Sequence, residues 1–287
     1  MAAHEAPSSM RHSEAQRSEE KHGTEGKKGH HVKVVLHSER PELWDRIPEV
    51  FAGVVPEYNL HGDIGDTYWN RLFDDFGDHQ FLLYDEEDDD ILGAGRSLPR
   101  LWDGTPEGLG TGLDASIKDA FAAHDAGTPP TALCALGVEV APAHQGKNLS
   151  KALLQQMIAM ARADGLPHLI VPVRPIWKHR YPLVPVERYA HWCRADGEPF
   201  DPWIRAQVRL GGTVTAGMER SSLISGTVAE WESWTGMAYP ESGDYVFPEG
   251  LNTLRVDRER DLATYWEPAV WITYDLRASA PAGPSRR

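Results

Sequence analysis

The sequence is short of several features that mark whole classes of protein. It has two cysteines in 287 residues, Cys134 and Cys193, without CxxC spacing. That number argues against a disulfide framework and indicates a reducing compartment. The sequence contains no run of about 18 apolar residues, the length that a bilayer-spanning helix needs. Its first residues also lack the pattern of a signal peptide, in which a charged region is followed by an apolar region and then by small residues. We therefore expect a cytoplasmic protein without a membrane segment.

Positive charge is also scarce. The chain has 29 Lys and Arg against 43 Asp and Glu, a formal net charge of −14. Nucleic-acid binding needs clustered basic residues, so it is not expected. The 13 histidines form no HExxH, and no GxSxG elbow is present, which argues against zinc and serine-hydrolase chemistry. An anionic ligand would have to be held by backbone amides and a few placed cations.

What is present suits one large folded domain between two loose ends. The hydrophobic content of 41% can fill a core. Residues 1–30 are rich in His, Ser, Glu and Lys and have few large apolar residues, so we expect a disordered leader. Residues 277–287 are expected to form a second disordered tail. The sequence predicts a single domain over residues 31–276.

Hydrophobic periodicity within that domain predicts a mixed α/β order. Strands are predicted at residues 31–37, 80–85, 91–97, 131–140, 168–173 and 270–274. Helices are predicted at residues 41–54, 66–76 and 114–123, after Asn148, around 186–193, and at the starts marked by Asp201 and Thr227. The long connection over residues 99–130 is a candidate wall of a binding site, because connections of that length are usually functional or disordered.

One strand–turn–helix unit carries a candidate anion site. Residues 131–140 lead through AHQGKNLS into an amphipathic helix with Leu149, Leu153 and Met157 at helical spacing. Asn148 can cap this helix, and Gly165 can end it. The first amides of a helix have no internal partners, and the helix dipole favours an anion there. Lys147 adds a cation, so the turn is a candidate diphosphate site, although most strand–turn–helix units bind no ligand.

The same segment resembles a known family. Val140–Ser150 (VAPAHQGKNLS) is similar to the acetyl-CoA motif of the GNAT superfamily, in which Gln or Arg is followed by two residues, Gly, one residue, and Gly or Ala. Gln145 matches the first position. Asn148 and Ser150 depart from the other two, although Asn tolerates left-handed backbone angles and Ser is small. The predicted order of elements over residues 32–173 is also that of the family.

The resemblance implies an α/β fold with a GNAT-like mixed, mostly antiparallel twisted sheet, flanking helices and three insertions. It implies transfer of an acetyl or other short acyl group from acyl-CoA to an amine or hydroxyl of a small-molecule acceptor, without a metal. The alternative is a non-catalytic acyl-CoA-binding module. Residues expected to contact acyl-CoA are Val138, Val140, Gln145, Gly146, Lys147, Asn148, Leu149 and Ser150.

Catalytic groups are assigned by position within this resemblance. Glu139, on the long strand, is the candidate base, with a half-exposed residue on the outer face of the sheet as the alternative. The segment from Asp201 to Gly212 resembles the family's later helix and puts Gln207 where many members carry a proton-donating tyrosine. An amide cannot donate a proton as an acid, so Tyr189, Tyr181 and His191 are the remaining acid candidates.

The two later insertions suggest where an acceptor could bind. Residues 174–200 contain the densest basic stretch of the chain, which either lies on the surface or holds a carboxylate-bearing acceptor. We expect Arg174, Lys178, Trp203 and Arg205 to contact the acceptor. Residues 226–267 are rich in aromatics, which either pack as core or stack on a ligand. We expect the three insertions to gather around the acceptor site, and a homodimer is one option for assembly.

Overall fold

The computed structural model describes residues 32–277, apart from the side chain of Asp66. The predicted leader at 1–30 and all but the first residue of the predicted tail lie outside the described residues. Within them, no helix is long and apolar enough to cross a membrane.

The described residues form a mixed, mostly antiparallel sheet, which confirms the predicted fold class. Its strands are β1 (Val32–Leu36), β2 (Gln80–Asp85), β3 (Asp90–Arg100), β4 (Ala132–Val140), β5 (His168–Val173), β6 (Thr213–Gly226), β7 (Gly243–Tyr245), β8 (Leu254–Asp257) and β9 (Leu262–Asp275). Their order is β1-β2-β3-β4-β5-β9-β8-β7, and β6 pairs with β9. The pair β4–β5 is parallel, while the other pairs are antiparallel.

Strands β4 and β5 pair over only a short length. Their register consists of Leu133↔Leu169 and Cys134↔Ile170. Beyond these pairs β4 continues to Val140 against β3, and β5 continues to Val173 against β9. The two strands therefore splay apart toward their carboxyl ends, and the edge of β4 that faces β5 has no strand partner over residues 135–140.

Helices cover both faces of the sheet. They are α1 (Ile47–Val50), α2 (Gly65–Phe76), α3 (Leu113–Asp125), α4 (Leu149–Ala163), α5 (Val186–Ala190), α6 (Pro202–Arg209) and α7 (Val228–Thr235). The α4 and α6 side packs on Leu133, Leu169 and Ile272. The α2 and α3 side packs on Cys134, Ile170 and Trp271. Neighbouring strand residues thus serve opposite layers, as the alternation of side chains along a strand requires.

Most predicted starts and stops agree with the structure. Asp201 accepts hydrogen bonds from the amides of Trp203 and Ile204 and so caps α6, while Thr227 and Glu230 form a capping box on α7. Strands β2 and β5 have the predicted bounds.

Three predictions of secondary structure were wrong or incomplete. The single helix over residues 41–54 is a 3-10 helix, Pro41–Arg46, followed by the short α1. Pro48 has no amide hydrogen, so it cannot continue a regular helix across this point. The last strand begins at Leu262 rather than residue 270, and β6 to β8 were not predicted, because their apolar residues alternate only in part.

The aromatic-rich insertion, residues 226–267, builds a small core of its own. Trp231, Tyr239, Phe247 and Tyr265 are buried together, and Tyr58 packs among them. The rings of Tyr58 and Tyr265 meet edge to face with centroids 5.4 Å apart. These aromatics are therefore packing residues, which is the simpler of the two sequence interpretations.

Candidate active site

A cavity of about 1090 Å³ opens where β4 and β5 separate. Its walls come from both splayed strands, the start of α4, helix α6 and the junction of β5 with β9. The other side is closed by the segment before α2 and by Leu113 and Ile117 of α3. The long connection at 99–130 thus contributes a wall, while the 226–267 insertion adds only Glu267 at its end.

The turn before α4 presents unpaired amides to this cavity. Gln145, Gly146, Asn148, Leu149 and Ser150 all line it. Among the described residues, the amides of 146–150 have no hydrogen-bonding partner, and the first helical bonds run from Lys151 and Ala152 to the carbonyl of Asn148. Several N–H groups and a helix N-terminus therefore face one point, which is the arrangement that binds a phosphate.

Left-handed backbone angles make this turn. Gly146 has φ of 79° and Asn148 has φ of 60°. Glycine adopts this region freely, and asparagine is one of the few other residues that tolerates it. Asn148 occupies the cap position of α4, but its side chain makes no capping hydrogen bond. The prediction that it begins the helix is thus correct in place, and its side chain remains free.

Lys147 does not line the cavity, unlike its neighbours. Its Nζ lies 3.0 Å from Nδ1 of His144, whose Nε2 lies 2.7 Å from Asp90 Oδ2. The ammonium group thus belongs to a surface chain of polar contacts beside the turn. Its contact with acyl-CoA stays a prediction, which rests on its charge beside the amides rather than on a place in the cavity wall.

Strand β4 contributes both backbone and side chains. Val138 and Val140 line the cavity on the strand edge that β5 leaves open. The register with β3 skips one residue, Leu136, because Arg96 pairs with Gly137 and Ser97 with Ala135. Such a bulge leaves a residue out of the ladder and bends the strand. The bulge puts irregular backbone at the cavity wall.

Glu139 also lines the cavity, so the outer-face alternative is wrong. Arg96 Nη1 donates to Glu139 Oε2 at 2.7 Å, and Oε1 has no partner within residues 32–277. The Glu139 side chain is 21% exposed, against 7% for Arg96. The guanidinium of Arg96 lies between Trp44 and Trp69, 5.4 Å from each ring. One carboxylate oxygen is thus fixed and the other is free.

A second carboxylate, Glu267, was missed by the sequence analysis. It lines the cavity from β9 and is 7% exposed. Its Oε1 accepts from Arg174 Nε, and its Oε2 accepts from the hydroxyl of Tyr265. Arg174 Nη2 also donates to the hydroxyl of Tyr58 and to the carbonyl of Glu249. Neighbouring residues in the sequence gave no signal, because the cluster is assembled from four distant segments.

The expected basic acceptor site is not formed. Arg174 lines the cavity but is engaged by Glu267. Lys178 is buried away from it, with Nζ 2.9 Å and 2.7 Å from the carbonyls of Tyr181 and Leu251. Arg205 donates to the carbonyls of Pro199 and Phe200. Of the four predicted acceptor contacts, Trp203 and Arg174 reach the cavity wall, and the others stabilise loops.

The tyrosine acid candidates lie elsewhere. Tyr189 is buried and its hydroxyl donates to Asp201 Oδ2 at 3.0 Å, while Tyr181 packs edge to face on Trp192. The cavity lining includes neither of these two tyrosines, and it does not include the exposed His191. Burial raises the pKa of Tyr189 well above its ordinary value, which opposes ionisation. Gln207 of α6, in contrast, does line the cavity.

The cavity holds no evident metal site. Within the described range, no group of three or more His, Cys, Asp and Glu side chains is arranged to hold a metal ion. The polar groups of the cavity include backbone amides, amide side chains, serine hydroxyls, the guanidinium of Arg174 and two carboxylates. They are suited to binding an anion at one end and to proton transfer at the other.

Comparison with known proteins identifies this arrangement. The family model described as "Acetyltransferase (GNAT) family" matches residues 47–176, which include the splayed strands, the turn before α4 and Glu139. Residues 47–176 are thus similar to the GNAT acetyltransferases. The predicted resemblance to this family is confirmed by that match, although Asn148 and Ser150 depart from its acetyl-CoA motif.

The similarity to a curated relative covers more of the chain than the family model does. The chain is 28% identical over 270 residues to an arginine N-acetyltransferase, avaD of Aspergillus versicolor, covering 83% of this chain and 91% of the relative. Together the two findings identify an N-acetyltransferase that moves an acyl group from acyl-CoA to an amine of a small molecule. They do not favour the alternative of a non-catalytic binding module.

Two solved GNAT structures share the fold at lower identity. One is the loading GNATL domain of CurA from Lyngbya majuscula, with TM-score 0.53 and 17% identity over 86% of this chain and 98% of that one. The other is GphF, a GNAT-like decarboxylase in complex with isobutyryl-CoA, with TM-score 0.52 and 19% identity over 86% and 100%. Both extend the likeness past residue 176, into the part of the chain that holds α6 and β9.

Proposed function

We propose that this protein transfers an acetyl group from acetyl-CoA to arginine or a close derivative of it, with Glu139 as the proton acceptor. The observation that supports the proposal is that one cavity contains both the anion-binding turn before α4 and the carboxylate of Glu139, which has one oxygen without a partner in the described residues. The two free cysteines, buried Cys134 and exposed Cys193, support a cytoplasmic setting.

The donor half of the proposal rests on backbone geometry. The unpaired amides of 146–150 suit the diphosphate of coenzyme A. The open edge of β4 at Val138 and Val140 suits the amides of the pantetheine arm, which can add to the strand as a peptide would. The arm would then bring the thioester to the bulge at Leu136, where an irregular amide can face the oxyanion.

The acceptor half rests on charge and on the relative. A protein of net charge −14 attracts cations, and Glu139 and Glu267 are the carboxylates on the cavity wall. Asn59 and Asn70 line the same region and add neutral donors and acceptors. A guanidinium group fits carboxylate and amide oxygens well because its donors are planar and forked. The arginine acceptor named for avaD has this chemistry.

In the proposed reaction the acceptor nitrogen attacks the thioester carbonyl. Glu139 Oε1 takes the proton from the attacking nitrogen, while the Arg96 contact holds Oε2 and fixes the side chain. The C–S bond breaks and its electron pair leaves on sulfur. No covalent intermediate with the protein is required, which agrees with Cys134 lying buried in the layer between the sheet and α2 and α3.

The test is a matched panel of acceptors. Purified protein is incubated with acetyl-CoA and arginine, agmatine, ornithine or citrulline, and thiol release is followed while the product is identified by mass. Citrulline is the sharpest control, since it has the shape of arginine without the charge. We expect turnover with arginine to exceed turnover with citrulline by about 10-fold or more.

Donor length is tested in the same assay with propionyl-CoA and butyryl-CoA, and fragmentation of the product identifies the nitrogen that carries the acetyl group. Equal rates with arginine and citrulline would rule out recognition of charge. Turnover confined to uncharged amines would overturn the acceptor assignment but leave the acyltransferase itself intact.

A further inference from the structure

The amide side chain of Gln207 is a polar group of the cavity wall to which the proposed reaction gives no role. Gln207 is 0% exposed when its side chain and backbone are taken together. Its Oε1 accepts a hydrogen bond from Tyr274 Oη at 2.5 Å. Its Nε2 has no hydrogen-bonding partner in the described structure. A buried donor without a partner is unfavourable and uncommon in folded proteins, so it calls for an explanation.

The position of this amide suggests what its partner is. Gln207 and Trp203 line the cavity from α6, next to Val171 and Val173 of β5. Tyr274, which holds the amide, pairs with Leu169, and Leu169 pairs with Leu133 of β4. Gln207 therefore lies over the point where β4 and β5 begin to separate. A pantetheine arm that added to the open edge of β4 would bring its sulfur toward that point.

We infer that Gln207 donates a hydrogen bond from Nε2 to the sulfur of the departing coenzyme A, and that Tyr274 is the positioning residue that holds the amide in this orientation. The inference rests on the proposed function, because it assigns a role within the same cavity. When the C–S bond breaks, the electron pair remains on sulfur and coenzyme A leaves as a thiolate. Gln207 keeps its protons, and the thiolate takes a proton from solvent after release.

Tyr274 itself is not the acid in this arrangement. Its hydroxyl proton is committed to Gln207, and burial raises its pKa well above the ordinary value. The amide cannot pass a proton on, since it would have to lose one of its own. The pair is therefore a fixed donor. A fixed donor stabilises developing charge without first having to reorient, which is the condition for effective electrostatic catalysis.

The first measurement does not depend on turnover. Coenzyme A is bound to the protein and the ultraviolet absorbance of its thiolate is followed against pH, for wild type, Gln207→Met and Gln207→Glu. Methionine is unbranched and similar in length but has no donor, while glutamate sets a negative charge beside the sulfur. We expect the pKa of the bound thiol to be lowest in wild type, higher in Gln207→Met and highest in Gln207→Glu.

The second measurement is steady-state kinetics. We expect Gln207→Met to lower kcat by about 10- to 100-fold with little change in the dissociation constant of acetyl-CoA. The hydrogen bond that the variant lacks is strong only when charge develops on the sulfur, so its loss affects the transition state more than the bound thioester. Tyr274→Phe should shift the thiol pKa and kcat in the same direction by a smaller factor. Gln155→Met makes the same change at an exposed position of α4 and should alter neither.

The outcomes separate this inference from the function beneath it. Wild-type protein that neither binds coenzyme A nor releases it from acetyl-CoA would overturn the proposed function. Wild-type protein that does both, with a Gln207→Met variant that binds coenzyme A equally well at an unchanged thiol pKa, would overturn the inference alone. Thermal melting of each variant shows that it is folded, and Gln207→Glu gives an independent test if Gln207→Met does not fold.

Discussion

Two carboxylates face the same cavity, and their surroundings differ. Glu139 gives one oxygen to Arg96 and keeps the other free. Glu267 accepts from Arg174 with one oxygen and from Tyr265 with the other, so each of its oxygens already has a hydrogen-bonding partner. Each glutamate has one arginine partner, yet only Glu139 has capacity to exchange a proton with a substrate. What distinguishes them is the number of uncommitted oxygens rather than charge or location.

The largest effect is expected from Glu139→Gln, which removes the proposed proton acceptor and nearly preserves shape. We expect kcat to fall by about 100-fold or more, because general bases contribute factors of that size. Binding of acetyl-CoA, measured by calorimetry, should be unchanged. Glu259→Gln, at an exposed turn, is the matched control. If Glu139→Gln keeps full turnover, another group takes the proton. The free oxygen that distinguishes Glu139 from Glu267 would then have no role in catalysis.

Glu267→Gln should affect stability more than the chemical step. Arg174, whose side chain is 30% exposed, would keep its charge beside a neutral partner, and breaking this partly buried ion pair should cost less than the about 3–5 kcal/mol of a fully buried one. We expect a clear drop in the free energy of unfolding, measured by urea titration, with less than a 10-fold change in kcat at temperatures where the variant is folded. A folded Glu267→Gln variant without turnover would reverse the roles assigned to the two carboxylates.

Tyr265→Phe sharpens the comparison by freeing one oxygen of Glu267. The hydroxyl of Tyr265 donates to Glu267 and accepts from the amide of Leu251 at 2.9 Å. Its loss should lower the free energy of unfolding by about 1–3 kcal/mol, since it leaves a buried acceptor and a buried amide without partners. Tyr245→Phe, near the same small core but partly exposed, should cost less. Equal losses in urea titration would mean that the Glu267 contact adds nothing.

The smallest effect concerns pH and a buried cation near Glu267. Burial lowers the pKa of Lys178 to about 8, and the charges of Glu219 and Glu267 oppose that shift. Between about pH 8 and the ordinary lysine value, the unfolded chain holds more protons than the folded one, so the free energy of unfolding should rise with pH. Lys178→Met should remove this rise, and Lys118→Met, at an exposed site, should keep it.

Parallel slopes for wild type and Lys178→Met in urea titrations across that range would show that Lys178 titrates as an ordinary lysine. In Glu267→Gln, where one opposing charge is gone, the rise should begin at lower pH.

The parts of this protein that the sequence predicts are those encoded by short stretches. The turn before α4, the cap at Asp201 and the box at Thr227 and Glu230 each depend on residues within a few positions of one another. Glu139 was found because one strand leads directly into the motif. The Glu267 cluster joins Tyr58, Arg174, Glu249 and Tyr265, which no local pattern connects, so it could not be predicted.

Two of the four predicted acceptor residues lie away from the cavity for a different reason. Lys178 and Arg205 were predicted because basic residues are frequent in that part of the sequence. The number of basic residues in a segment does not show where their side chains point in the folded protein. Both point to backbone carbonyls of nearby loops, where they satisfy acceptors that the insertion would otherwise bury. Tyr189 likewise belongs to a packed aromatic group. A long insertion must first stabilise its own backbone, and its charged residues are used for that purpose.

The brief contact between β4 and β5 has a mechanical consequence. Two pairs of residues join the β1–β4 half of the sheet to the β5–β9 half along this seam. A ligand arm that bonds to the open edge of β4 while its end reaches α6 would bridge the halves and act as a missing strand. Amide hydrogens near the seam should then exchange with deuterated solvent more slowly when coenzyme A is bound. Bound coenzyme A would thus stabilise the connection between the two halves of the sheet.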